Sequence, residues 1–262
     1  MMDGEDLLAR ILRAATDADG DGGGGDPRRA LRALQRDVTR FRLHYKFAMD
    51  EILTKITILR EEFEETHEYS PIEHVRTRLK SVDSLMAKVG RLGVEPQVDA
   101  IRATIRDIAG IRVTCAFVSD AYWIADMLTS QPDVSVLETK DYIATPKENG
   151  YQSLHVIVQV PVYLSDHVEN VPVEIQIRTI AMDFWASVEH KIYYRYDREV
   201  PQRLLDELHE AALTADRLDR QMARLREEVR ALGGRPQGGP SRPSGGPPEA
   251  DEGRVPESPA TS

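Results

Sequence analysis

The sequence predicts an α+β fold: a mixed β-sheet with flanking helices, bracketed by a long N-terminal and a long C-terminal helix. Three observations predict it. Segments rich in Val, Ile and aromatic residues alternate with helical stretches through the middle of the chain, which implies a mixed sheet covered mainly on one face. At both ends, apolar residues recur in steps of three and four, the period of one helix face. The chain has 262 residues, 41% of them hydrophobic, enough for a packed core.

Residues 1–28 read as an acidic appendage and Gly-rich linker. Leu7, Leu8, Ile11 and Leu12 would make a short amphipathic helix. Residues 17–25 resemble the opening of an EF-hand loop, but its twelfth position is Arg28, where a bidentate glutamate is required. A flexible linker is therefore expected, not a calcium site. A helix follows over 29–67, with Leu31, Leu34, Val38, Phe41, Tyr45, Ala48, Ile52, Ile56, Leu59 and Phe63 on one face. Strands are expected over 74–80, 111–118, 134–141, 151–160 and 171–178, and helices over 82–92, 98–106, 121–129 and 179–194. Pro201 suits the start of a last helix and Gly233 its stop. Between them Leu204, Leu208, Ala211, Ala215, Leu218, Met222, Leu225, Val229 and Leu232 keep a heptad rhythm, the mark of a helix packed along another in this chain or a partner. Residues 234–262 are rich in Gly, Pro, Ser and Glu and are expected to be disordered.

Charge and composition exclude several classes. Lys and Arg number 34 against 44 Asp and Glu, a net charge of −10. That balance argues against a general binder of nucleic acid or anionic membrane, while leaving room for a local basic pocket. Cys115 is the single cysteine, so neither an intrachain disulfide nor a cysteine zinc site can form. No apolar run approaches the roughly 18 residues of a membrane span, and the N-terminus lacks the features of a signal peptide. A cytoplasmic protein is expected.

Four segments carry residues suited to chemistry. In 171–179, strand alternation sends Val173, Ile175 and Ile177 to a core and Glu174, Gln176 and Arg178 to the other face. Glu174 is there a candidate metal ligand or general base; an ordinary half-exposed strand with a Glu–Arg pair fits equally well. In 147–155, Asn149-Gly150 marks a turn, and Tyr151, Ser153 and His155 are expected on one strand face. Tyr151 can stack on a base, and Lys147 and His155 can meet phosphate oxygens. In 106–112, Gly110 permits a tight strand entry with Asp107 and Arg112 beside it. Asp107 is either an ion-pair partner of an arginine or, together with Glu174, a holder of Mg²⁺ on phosphates. In 76–91, five basic residues stand against one acid, with Arg78 and Lys80 on a strand and Ser84 and Lys88 four apart on a helix. This reads as a solvated basic face or as an anion site near a helix start. Neither a P-loop nor a kinase signature is present.

Taken in order, Arg106-Asp-Ile-Ala-Gly-Ile-Arg112, Asn149-Gly-Tyr-Gln-Ser-Leu-His155, Val173-Glu-Ile-Gln-Ile-Arg-Thr179 and Phe184-Trp-Ala-Ser-Val-Glu-His190 resemble the synthetase domain of the RelA/SpoT family. The stand-alone members, the small alarmone synthetases, are the nearest pattern, over about 45–196. The resemblance implies a nucleotidyltransferase-like fold over residues 29–200. It implies transfer of the β,γ-pyrophosphate of ATP to the ribose 3′-OH of GTP or GDP. Carried over by position, Arg78 and Arg112 would sandwich adenine, and Lys80, Ser84 and Lys88 would hold the ATP phosphates. Asp107 and Glu174 would coordinate Mg²⁺, with Glu174 also the general base. Tyr151 would stack on guanine, Lys140, Lys147 and His155 would meet the acceptor's phosphates, and Gln176 and Arg178 would complete that pocket.

Two departures stand out. Asp183 occupies a position where small synthetases can carry an asparagine that reads guanine; an aspartate could accept from guanine N1–H and N2–H₂ together. His74 stands where some relatives carry an aromatic residue beside an allosteric alarmone cleft in a homotetramer, so product activation is not implied here. None of the seven histidines is followed by Asp, as the hydrolase motif of the long family members requires, so synthesis without hydrolysis is expected. A homo-oligomer is expected, with a tetramer as one form, and no stable nucleic-acid binding. A toxin that pyrophosphorylates tRNA 3′ ends would want more basic surface, and a silent nucleotide sensor would be marked by loss of Asp107 or Glu174.

Overall fold

A computed structural model describes residues 27–95, 97–194 and 200–232. The elements in chain order are α1 (Pro27–Thr66), β1 (His74–Leu79), α2 (Val82–Leu92), α3 (Val98–Thr104), β2 (Ala109–Cys115), α4 (Val118–Thr129), β3 (Ser135–Asp141), β4 (Leu154–Tyr163), β5 (Val168–Thr179), α5 (Ile180–Tyr194) and α6 (Gln202–Leu232). Residues 1–26 of the expected appendage and linker, and the tail over 234–262, lie outside the described residues.

The five strands form one sheet in the order β1-β2-β5-β4-β3. Only the β2–β5 pair is parallel, so the sheet is mixed as expected. One face is core. Ile111, Val113, Val158, Val173, Ile175 and Ile177 are buried there beneath α1 and α4. α1 supplies Tyr45, Ala48, Ile52 and Ile56 at helical spacing, and α4 supplies Ala121, Ile124 and Leu128. Burying a side chain of this size stabilises by about 1.5–3 kcal/mol before the entropic cost of ordering it. The opposite face is open between β1 and β4, and it carries the site.

Several boundaries differ from expectation; β2, for one, covers Ala109–Cys115 and not 111–118. β4 begins at Leu154, not Tyr151, because Lys147–Tyr151 closes a turn: Gly150 N–H donates to Lys147 O at 2.8 Å, Lys147 N–H to Tyr151 O at 3.1 Å, and Gly150 takes φ +87°. α4 begins at Val118, not Ala121. Asp120 lies inside the first turn, where Tyr69 and Arg226 hold its carboxylate. β5 runs on to Thr179, and Pro172 is tolerated because β2 pairs β5 only from Glu174 onward.

Candidate active site

The register explains why residues far apart in sequence meet. On the open face, one row across the strands reads Arg78, Gly110, Glu174 and Ile157. The next reads Arg76, Arg112, Gln176, His155 and Lys140. Gly110 puts no side chain between Arg78 and Glu174, so the floor there is bare backbone; an added Cβ would sit 3.7 Å from Arg78 O. A cavity of about 390 Å³ results, lined by Arg76, Arg78, Lys80, Asp107, Gly110, Arg112, Glu174 and Gln176, among others.

Asp107 enters from the loop before β2. Lys80 Nζ lies 2.8 Å from its Oδ2, and Lys88 Nζ, reaching from α2, 2.8 Å from its Oδ1. Burial opposes its charge, but the two lysines outweigh that and hold the carboxyl below the usual range. The Lys88 contact is an ion pair off the hydrogen-bond line, which leaves acceptor capacity on a buried Oδ1. Glu174 shows the same balance: burial raises its pKa, while His155 and Gln176 lower it further than burial lifts it.

Glu174 belongs to a closed ring of hydrogen bonds. Gln176 Nε2 donates to Glu174 Oε2 at 2.9 Å, and Arg178 Nη2 donates to Gln176 Oε1 at 2.9 Å and to the Tyr151 hydroxyl. Tyr151 Oη lies 2.8 Å from His155 Nε2, and His155 Nδ1 3.1 Å from Glu174 Oε1. A carboxylate only accepts, so His155 carries its proton on Nδ1 toward Glu174. In the neutral imidazole Nε2 then accepts from Tyr151. Every member thus locks its neighbour's orientation.

The remaining expected residues take their places around this ring. Lys147 Nζ lies 4.8 Å from the Tyr151 ring centroid. Lys140 shares the face of His155 on the neighbouring strand and pairs with Glu138 at 3.2 Å. Asp183, in the first turn of α5, offers Oδ1 to Arg112 at 3.1 Å and to Arg178 at 3.3 Å. Ser84 stands apart from the cavity lining: its backbone N–H donates to the N-cap oxygen of Ser81 in the exposed first turn of α2. Tyr151 joins the site from the turn, and Ser153 from the stretch between the turn and β4, not from a strand face. Ser153 Oγ accepts from Arg178 Nε at 3.3 Å.

Two residues escaped the sequence reading. Arg76 lines the cavity beside Arg112; strand alternation from Arg78 was the signal for it. Tyr142 packs edge-on against Tyr151 and His155, with Lys147 Nζ 4.6 Å from its ring centroid. Its place, two residues past Lys140, was the available clue.

A cationic cleft with two carboxylates on an open mixed sheet, flanked by an aromatic platform, has the groups to take a nucleotide's phosphates and base. Comparison with known proteins agrees. The region found in RelA / SpoT proteins matches residues 77–199. GTP pyrophosphokinase YwaC of Bacillus subtilis is 47% identical over 199 residues, covering 76% of this chain and 95% of that protein. The crystal structure of small alarmone synthetase 1 from B. subtilis bound to its product pppGpp superposes with a TM-score of 0.69 at 38% identity, covering 74% of this chain and 98% of that one. The same synthetase bound to AMPCPP gives a TM-score of 0.64 at 34% identity, with 74% and 98% coverage. The chain belongs to the RelA/SpoT family, among its small alarmone synthetases.

Proposed function

We propose that this protein is a GTP pyrophosphokinase, which transfers the β,γ-pyrophosphate of ATP to the ribose 3′-OH of GTP or GDP, makes (p)ppGpp and releases AMP. The observation that carries this is the position of Glu174 between two unlike half-sites. On one side lie Arg78, Arg112, Lys80, Lys88 and Asp107; on the other lie Tyr151, His155, Lys147 and Arg178. The arginine faces suit adenine, and a guanidinium can stack while its edge keeps Asp183. Lys80, Lys88 and Ser84 take the ATP phosphates, the lysines exchanging a carboxylate partner for phosphate oxygens. Tyr151 offers its ring to guanine, and Asp183 accepts from guanine N1–H and N2–H₂. Lys140, Lys147 and His155 meet the acceptor's phosphates, completed by Gln176 and Arg178.

Glu174, ionised at neutral pH because its carboxyl is held low, takes the 3′-OH proton as the oxygen attacks the β-phosphorus. The bond from that phosphorus to the α,β-bridging oxygen breaks, and AMP departs. No protein nucleophile is required, because positioning and charge neutralisation dominate such transfers. Asp107 and Glu174 fit Mg²⁺, which takes one or two carboxylates and completes its shell with water and phosphate oxygens. Bound there, the ion would neutralise phosphate charge.

The synthetase domain is assigned to 29–200, with α6 as its C-terminal helix. Leu218, Met222, Leu225 and Val229 form an exposed heptad seam on α6, which supports self-association. Among the described residues no helix is long and apolar enough to cross a membrane, and a cytoplasmic enzyme is the reading adopted.

The test incubates purified protein with Mg²⁺, γ-³²P-ATP and GTP, GDP, GMP or deacylated tRNA in separate lanes, with Glu174→Gln alongside. Labelled ppGpp or pppGpp that vanishes in the variant is expected. Label on tRNA alone, or on no acceptor with a folded protein, overturns the reading.

A further inference from the structure

Asp219 on α6 is 7% exposed and has no part in the chemistry above. Burial lifts its carboxyl above the usual range, with Asp216 adding to the rise and a Thr179 hydrogen bond opposing it. Such a placement costs stability, so its one strong contact merits an account. Asp219 Oδ2 accepts from the Thr179 hydroxyl at 2.7 Å. Thr179 is fully buried at the end of β5, and its Oγ1 accepts the backbone N–H of Met182 at 3.1 Å, as an N-cap does for α5. A hydroxyl has one proton. Committing it to Asp219 aims the lone pairs at Met182, so Asp219 sets the rotor that caps α5.

Both ends of this cap lead to the acceptor half of the site. On the strand side Thr179 directly follows Arg178, which holds Tyr151 and Gln176. On the helix side the capped turn carries Asp183, whose Oδ1 bridges Arg178 and Arg112. The same helix α6 presses Ala212 against the turn before Tyr151 and accepts the Trp185 indole N–H on Leu208 O at 2.8 Å. Of the ATP-side residues, Arg78, Lys80, Lys88 and Asp107 lie on β1, α2 and the loop before β2, away from this chain of contacts; Arg112 meets it only at its edge, through Asp183.

We propose that Asp219 is a positioning residue for the acceptor nucleotide, acting through Thr179 to set Arg178 and Asp183. The proposal rests on the assignment of Tyr151, Arg178 and Asp183 to the guanine nucleotide. α6 is then a wall of the acceptor site as well as a packing helix.

The test measures steady-state kinetics for GTP and for ATP in the full chain, using wild type, Asp219→Ala, Asp219→Asn and Thr179→Val. Asp219→Ala and Thr179→Val are expected to raise KM for GTP about tenfold, the worth of one buried charge-assisted hydrogen bond, and to leave KM for ATP within about twofold. Asp219→Asn, whose amide oxygen still accepts from Thr179, is expected to stay near wild type. Circular dichroism confirms that each variant is folded; should Asp219→Ala not fold, Thr179→Val and Asp219→Asn carry the comparison. Equal changes in both KM values, no change in either, or an Asn variant as impaired as Ala would each overturn the proposal. A wild-type enzyme that pyrophosphorylates no guanine nucleotide fails the functional reading instead, so the two failures are told apart.

Discussion

Gly150→Ala separates the two reasons this position is glycine. With φ at +87°, the backbone lies where an L side chain costs about 1–2 kcal/mol. A Cβ built there would also lie 2.5 Å from Ala212 Cβ and 3.4 Å from His209 Nδ1. Carbons pack best at about 3.5–4 Å, so the first contact adds overpacking of about 1–3 kcal/mol. Stiffening of the unfolded chain returns about 0.4–1 kcal/mol, leaving a net loss of about 1–5 kcal/mol. Ala212 has little freedom to retreat, because Leu208 O and Asp219 anchor the turns on either side of it. Ala212→Gly alone costs about 1 kcal/mol of helix propensity, yet it removes the clash. Urea unfolding of wild type, both single variants and the double variant therefore yields a coupling of about 1–3 kcal/mol, the steric share. Additivity within about 0.5 kcal/mol would refute the claim that α6 presses on this turn. In the Gly150→Ala enzyme KM for GTP should rise more than KM for ATP, since Tyr151 follows directly.

Further outcomes follow from the same geometry. Glu174→Gln should lower kcat by roughly 10²–10⁴-fold, the range of a lost general base; retained turnover in a folded variant would remove Glu174 from its role. Arg226→Ala leaves Asp120, whose side chain is 3% exposed, with Tyr69 but without its cation, and should cost about 3–5 kcal/mol in chemical denaturation; a change below about 0.5 kcal/mol would contradict it. Asp107 and Glu174 have depressed folded-state values, so the stability they contribute is present above their ordinary pKa and is lost as pH falls through the depressed ones; melting curves at stepped acid pH should show that decline. Asp219 has the opposite sign: its contribution is full below the ordinary value of 3.8 and is lost as pH rises through the raised one. Asp219→Asn should therefore melt at a higher temperature than wild type at pH 7 and at an equal one in acid.

Much of the fold was legible because local periodicity and burial agree. The 3–4 rhythm of α1 and the alternation of Val173, Ile175 and Ile177 report one-sided burial, and the core beneath α1 and α4 is that burial realised. Alternation also placed Glu174, Gln176 and Arg178 on a common face, where they now bond to one another. The family motifs carried the remaining site residues, since spacing alone left Asp107 as either an ion-pair partner or a metal ligand.

Only the tertiary structure decided what lies across from what. Strand order β1-β2-β5-β4-β3 sets Arg76, Arg112, Gln176, His155 and Lys140 in one row, and no local pattern encodes a register between segments so far apart. The ring through Tyr151, His155 and Glu174 depends on that register and on the positive φ of Gly150. The role of α6 was hidden for a related reason. Its apolar heptads face outward at Leu218, Met222, Leu225 and Val229, while Asp219 and Arg226 face the domain. Hydrophobic patterning therefore pointed to the seam and not to the polar anchors, because a buried polar group is stabilised by a specific partner that only the folded chain supplies.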